Sequence, residues 1–509
     1  MKVKNKSVQK LLEKYKEIHL LNKVNALLGW DLNVNLPPKA SEGRAAQSAY
    51  ITKITAEKWL DAEFKKVLGS LRGRSLQADK KAIVRNLNHG AKFYHNIPKE
   101  IIVEFAQISS RAFMVWQRAK AEDKFKDFLP HLKKIIKLNQ IIADHLGYKE
   151  NPYDALLDLY EPGLTAKKCG EIFGTLQPEL TKILGRILKS KDYKADSDLI
   201  GENQNYPVDD QRQLSLFVLR KMNYDLEAGR MDVSSHPFTD TLDRFDVRIT
   251  SRYKTTDFRE SLMSAMHEGG HALYEQGVNE DFSGTPLDGG VSLGIHESQS
   301  RFWENQIGRS FEFISFMTPI FHAFFPEQLA RSGSEEIFAL LNQVKPSFIR
   351  TEADEVTYNL HIALRFELEN KMINGKIKAE DLAEIWREKM KKYFGIIPKT
   401  DREGVLQDIH WANGMMGYFP TYTLGNLYAA QFTTRLRRDF GGQAKFEELV
   451  ERGELGTILS WLRVNIHQYG SLYWPDELSK KITGEVLNPK YFLAYIKTKY
   501  SKIYGINFS

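Results

Sequence analysis

Three residues in one short stretch, His267, Glu268 and His271, have the types and the spacing to hold a divalent metal and to use it. In a helix, residues four apart lie one turn apart on the same face, so the two imidazoles can grip one ion. Glu268 then stands beside the open coordination position as a general base. The bland alternative is two ordinary histidines on a solvated helix face. A hydrolytic zinc site takes three protein ligands and keeps a fourth position for water. Glu297 is the preferred third ligand, with His296 its competitor; a histidine six residues after His271 is absent, because Gly277 stands there. The chemistry follows from charge. Zinc acidifies water in its open position and polarises the scissile carbonyl. Glu268 takes the water's proton and delivers it to the leaving amine. The oxyanion needs a further donor, a His or Tyr from elsewhere in the chain.

These residues need a helix to position them, and residues 258–276 read as one. Asp257 is the expected N-cap, with Glu260 three residues later in a capping-box arrangement. Phe258, Leu262, Met266, Gly269 and Leu273 form its core stripe, and Gly277 its C-cap. Gly269 and Gly270 cost about 1 kcal/mol each relative to Ala. That cost implies something passing close to the backbone, another element or a substrate. Two strands are expected to flank the helix, over 245–250 and 290–295, where apolar and polar residues alternate. The second would return the chain so that a following helix carries Glu297 back to the metal.

Most of the remaining sequence reads as helix. Leu11, Leu12, Tyr15, Ile18 and Leu21 recur near the 3.6-residue period until Pro37-Pro38 breaks it. Further helical patterns cover about 41–71, 77–95, 99–121, 127–146, 335–374, 379–393 and 425–440. Thr165 is the expected cap of the helix carrying Cys169, which reads as a structural thiol. The fold class is therefore mainly α, with a small β-sheet beside the metal helix, and residues 1–509 form a single large unit, open to division into two lobes.

The bulk numbers exclude several classes. Net charge is +7, from 72 basic and 65 acidic residues, with no basic tail or block, so a nucleic-acid partner is not expected. The single cysteine rules out an intrachain disulfide and fits a reducing compartment. The N-terminal stretch leads into an amphipathic pattern, and no run of about 18 apolar residues occurs, so neither a secretion signal nor a membrane partner is expected. A cytoplasmic, soluble protein is the reading.

Five motifs make a family resemblance. They are His267-Glu-Gly-Gly-His271, His296-Glu-Ser-Gln299, Asp246-Val-Arg-Ile-Thr250, Ile349-Arg-Thr-Glu-Ala-Asp354 and Gly404-Val-Leu-Gln-Asp-Ile-His-Trp411. Trp30-Asp31 and Tyr160-Glu-Pro-Gly163 extend the likeness along the chain. The sequence resembles the Taq carboxypeptidase (M32) family of metallocarboxypeptidases. That resemblance implies a two-lobed helical metallopeptidase fold with a deep central groove, similar to neurolysin and angiotensin-converting enzyme. It also implies a homodimer with one zinc per subunit, cobalt or manganese being able to replace it. The implied activity is removal of single residues from the free C-terminus of peptide substrates, with broad specificity. The rival activities are those of an oligopeptidase or a peptidyl-dipeptidase of the same helical class. A non-catalytic scaffold that keeps zinc for stability is the rival from another class, and Glu268 argues against it.

The resemblance carries the metal ligands to His267, His271 and Glu297 and the base to Glu268. A free α-carboxylate calls for a guanidinium. Arg350 is the first choice, against a plain salt bridge with Glu352 or Asp354. Arg248 ranks below it, as a brace paired with Asp246. His410 leads as oxyanion stabiliser; Tyr422 and Tyr418 are candidates for the same task, with buried aromatic packing the alternative. Gln407 is expected to hydrogen-bond substrate backbone. Asp408 either orients a metal-bound histidine or caps a helix, and Trp411 belongs to the core.

Overall fold

Helix is the outcome along most of the chain, and the breaks fall where side chains compete for the backbone. The computed structural model describes residues 5–193 and 204–508. Helix Lys6–Val34 opens where the Asn5 side chain accepts from Ser7 N and Val8 N. The pattern over 41–71 proves to be two helices, Ser41–Trp59 and Ala62–Ser70, because the Asp61 side chain accepts from Phe64 N and starts a new one. The pattern over 335–374 also divides, into Ser334–Leu341 and Tyr358–Ile373. Between them, Asp354 accepts from the amides of Lys345, Val356 and Thr357, which ties an irregular segment in place of a helix. Arg350 lies on that segment. Among the described residues, no helix is long and apolar enough to cross a membrane.

The described chain divides into two compact units. The first comprises residues 5–95, 204–341 and 431–486. Its sheet has three strands in the order β1-β3-β2: β1 (Met231–Val233) runs parallel to β3 (Asp246–Ser251), and β2 (Thr239–Asp243) antiparallel to it. Only β3 was expected. The other two are three and five residues long, too short and too polar to show an alternation. Val247 and Ile249 of β3 are buried.

Helix Arg259–Gln276 runs through this unit, and its glycines explain its packing. A β-carbon on Gly270 would lie 2.6 Å from Gln299 O, and one on Gly269 2.7 Å from Leu219 Cδ2. Both glycines therefore admit neighbouring protein elements. Gly277 does cap the helix, but with ordinary right-handed backbone; a β-carbon there would meet His467 Nδ1 at 2.6 Å. The expected capping box does not form. Phe258 occupies the cap position, Asp257 pairs with Arg259, and Glu260 is drawn to Arg252 and Lys254. The expected strand at 290–295 is also absent. Ser292 accepts from Ile295 N at 3.1 Å and starts helix Leu293–Arg301, so the alternation of Val291, Leu293 and Ile295 falls across a helix start. This helix continues as a π-helical segment, Phe302–Gly308.

The second unit comprises residues 96–193, 342–430 and 487–508. Helix Tyr358–Ile373 is buried on nearly every face and packs against Ala166–Ile187 and Phe125–Leu146. Thr165 caps Ala166–Ile187 by accepting from Lys168 N. Cys169 on that helix is fully enclosed, and burial pushes its thiol far above the ordinary range, which makes it a packing residue.

Candidate active site

The middle of helix Arg259–Gln276 presents His267, Glu268 and His271, and Glu297 comes from helix Leu293–Arg301, whose backbone presses on Gly270. One donor atom from each of His267, His271 and Glu297 lies within 4.8 Å of the others. The Nε2 atoms of His267 and His271 stand 3.7 and 3.5 Å from Glu297 Oε2. A tetrahedral ion with bonds of about 2.0–2.2 Å spaces its ligands by about 3.3–3.6 Å. The triangle therefore fits a divalent metal.

The surrounding hydrogen bonds leave the correct atoms facing inward. His267 Nδ1 lies 2.9 Å from Glu304 Oε2, and His271 Nδ1 lies 2.6 Å from His296 Nδ1. With both Nδ1 atoms engaged, both Nε2 atoms remain for an ion. Glu297 Oε1 accepts from Arg301 Nε at 2.7 Å, while Oε2 faces the imidazoles and takes a longer bond of 3.2 Å from Ser300 Oγ. His296 is a neighbour of the ligand set and turns its other nitrogen to Glu275 Oε1, 2.8 Å away. Glu268 is nearly buried, and the Thr239 hydroxyl on β2 holds its Oε2 at 2.6 Å.

Electrostatics sort these groups into roles. Burial raises Glu268, and the opposing pull of His267 and Thr239 does not cancel it. Burial brings His271 down to about 4, which keeps it neutral and able to coordinate. Burial also disfavours charge on Glu297, but Arg301 and His267 outweigh it and hold that carboxyl well below its usual range. Glu304 is held down in the same way, by Arg301 and His267.

The second unit gathers most of the other expected site residues. Arg350 is buried, with Nε 3.0 Å and Nη2 2.9 Å from Asp408 Oδ1, and its Nη1 donates to Tyr358 OH at 3.0 Å. Its ion-pair partner is thus Asp408, rather than Glu352 or Asp354. Asp408 Oδ2 accepts from Arg365 Nε at 2.7 Å, so its oxygens serve two guanidinium groups and neither a histidine ligand nor a helix cap. Burial opposes charge on Asp408, yet Arg350 and Arg365 drive its carboxyl far below the normal range. Two buried cations share one anion here.

His410 Nε2 lies 3.1 Å from Tyr422 OH, and the Tyr418 ring sits 5.3 Å from both the His410 and the Tyr422 rings. The geometry departs from one expectation. Gln407 donates to the carbonyls of Phe348 and Glu403 and accepts from Arg350 N at 2.9 Å; its amide is spent holding the Arg350 segment, not presented to a peptide. Arg248, in the first unit, pairs bidentately with Asp246 at 2.6 and 2.7 Å, the pairing expected of it as a brace. Trp411 is buried and donates to Glu369 Oε1 at 2.7 Å.

Sequence reasoning missed several partners. Glu275 lies four residues after His271, and Arg301 and Glu304 lie four and seven after Glu297, so helical spacing alone could have flagged them. Thr239 and Arg365 carried no such signal, since their partners are distant in sequence.

The model of the carboxypeptidase Taq (M32) metallopeptidase family matches residues 10–500. Thermostable carboxypeptidase 1 of Pyrococcus furiosus is 42% identical over 498 residues, covering 97% of this chain and 99% of its own. Thermostable carboxypeptidase 1 of Thermus thermophilus is 40% identical over 517 residues, covering 98% and 99%. The crystal structure of the M32 carboxypeptidase from Deinococcus radiodurans superposes with a TM-score of 0.94 at 35% identity, covering 99% of this chain and all of that one (100%). Matches of this length and identity leave one conclusion: the chain belongs to the carboxypeptidase Taq (M32) family of metallopeptidases.

Proposed function

We propose that this enzyme removes single residues from the free C-termini of peptides, with broad specificity, and that His267, His271 and Glu297 hold its zinc ion. The observation that carries the metal reading is the convergence of two Nε2 atoms and one carboxylate oxygen whose partner atoms are tied elsewhere. A divalent ion bound there supplies Lewis acidity to a scissile carbonyl and acidity to water. Glu268, raised by burial and aimed by Thr239, receives the attacking water's proton and passes it to the leaving amine. His410 and Tyr422 donate to the oxyanion, and Tyr418 lines the same aromatic cluster. Arg350 reads the substrate α-carboxylate. The charge arrangement supports this role: Arg350 and Arg365 both pair with the single carboxylate of Asp408, and a free carboxylate offsets the remaining positive charge. Gln407 positions Arg350 through its backbone.

The reading extends to residues 1–509 as a single peptidase unit, working as a homodimer in the cytoplasm. Sedimentation of the purified protein tests the dimer. Product analysis tests the activity: a peptide blocked at its N-terminus is incubated with the zinc-loaded enzyme and followed by mass spectrometry. Stepwise loss of single C-terminal residues is expected. Internal cuts or dipeptide release would assign the chain to an oligopeptidase or peptidyl-dipeptidase activity instead.

A further inference from the structure

The two Nδ1 atoms of His271 and His296 are 2.6 Å apart, so one ring donates and the other accepts. Ligation decides which. If His271 gives its Nε2 lone pair to a metal, its proton resides on Nδ1, and His296 Nδ1 must be the acceptor. His296 then carries its own proton on Nε2 and donates it to Glu275 Oε1 at 2.8 Å. Glu275 also accepts from Gly290 N at 2.9 Å. The protein leaves room for this second ring. A β-carbon on Gly290 would lie 2.6 Å from His296 Cδ2 and 2.8 Å from Tyr274 Cε1, and the Tyr274 ring rests 5.2 Å from that of His296. His267 has a shorter arrangement, its Nδ1 meeting Glu304 directly.

We infer that His296 and Glu275 are positioning residues that fix the tautomer and ring orientation of His271 and thereby retain the metal. This rests on the reading of His271 as a ligand. An orienting partner of a ligating histidine is worth about 10–100-fold in metal affinity. The test measures zinc affinity by competition with a chelator, and the absorption spectrum of the cobalt-loaded protein, for the full-length wild type, His296→Ala, His296→Asn, Glu275→Gln and His271→Ala. His296→Ala is expected to weaken zinc binding by about 10–100-fold and to alter the cobalt spectrum. His296→Asn places an amide oxygen where Nδ1 stood and restores most of both; Glu275→Gln falls between. Rescue by Asn separates hydrogen bonding from mere packing. Should His296→Ala not fold, His296→Asn and Glu275→Gln decide: tight zinc in the first with weakened zinc in the second supports the assignment. The inference is overturned if His296→Ala binds zinc as tightly as the wild type, if His296→Asn is as weak as His296→Ala, or if Glu275→Gln leaves affinity unchanged. A wild type that binds no zinc, or a His271→Ala variant that binds it normally, overturns the ligand reading itself.

Discussion

Helix Arg259–Gln276 in one unit and helix Tyr358–Ile373 in the other each set three polar residues at i, i+4 and i+8: His267, His271 and Glu275 in the first, His361, Arg365 and Glu369 in the second. The spacing is the same and the chemistry is opposite. In the first line the Nδ1 atoms are engaged and the Nε2 atoms converge with Glu297, so the surroundings favour a cation. In the second, His361 is enclosed and held neutral by burial and then by the Arg365 charge, its ring against Phe394. Glu369 receives Tyr153 OH, Trp411 Nε1 and Gly417 N. Arg365 shares Asp408 with Arg350, so charge there favours an anion. Helical spacing only places donors side by side. Which atoms remain uncommitted, and the sign of the surplus charge, decide what a buried polar line can bind.

Removing the general base beside the first line has the largest effect. Glu268→Gln keeps the ligands and removes the proton acceptor, so peptide turnover falls by about 10²–10⁴-fold while metal content, read by elemental analysis, stays at the wild-type level. In the second unit, Tyr422→Phe removes one oxyanion donor, and about a 10²-fold loss in kcat with little change in KM is expected from steady-state kinetics. Arg350→Lys keeps one charge and loses the planar fork; kcat/KM on a free-acid peptide falls by about 10–100-fold.

The smallest effect sharpens the comparison through stability alone. Burial raises Glu369 to about 7 against three hydrogen bonds that favour the anion. Because its folded value exceeds the ordinary carboxyl value of 4.5, its contribution is fullest below that value and is lost as pH rises through about 7. Between about pH 4.5 and pH 8 this amounts to about 2–3 kcal/mol. The difference in melting temperature between wild type and Glu369→Gln should therefore narrow as pH rises over that range, as Glu369 ionises and the wild type loses the advantage. A constant difference would show that Glu369 stays ionised in the fold.

The candidate metal residues were legible because they are local: His267, Glu268 and His271 lie within two turns, and Glu297 follows on the next helix. The helical fold class was legible for the same reason, apart from the short strands β1 and β2 and the breaks made by Asp61 and Asp354. What escaped depends on distant pairing. Asp408 looked like a histidine partner until Arg350 and Arg365, 58 and 43 residues away, took its oxygens. Gln407 looked available to substrate until the backbone of Arg350 claimed it. Side-chain type can be read from sequence; whether that side chain is already engaged cannot.

The pairing of a metal-centred hydrolase with a carboxylate-reading arginine is most directly tested by one ratio. The kcat/KM of the zinc-loaded wild type is measured on a single N-terminally blocked peptide, once as the free acid and once as the C-terminal amide. The free acid should be cleaved at least about 10²-fold faster, the order expected when a buried guanidinium is denied its partner. Equal rates on the two peptides would contradict the assignment.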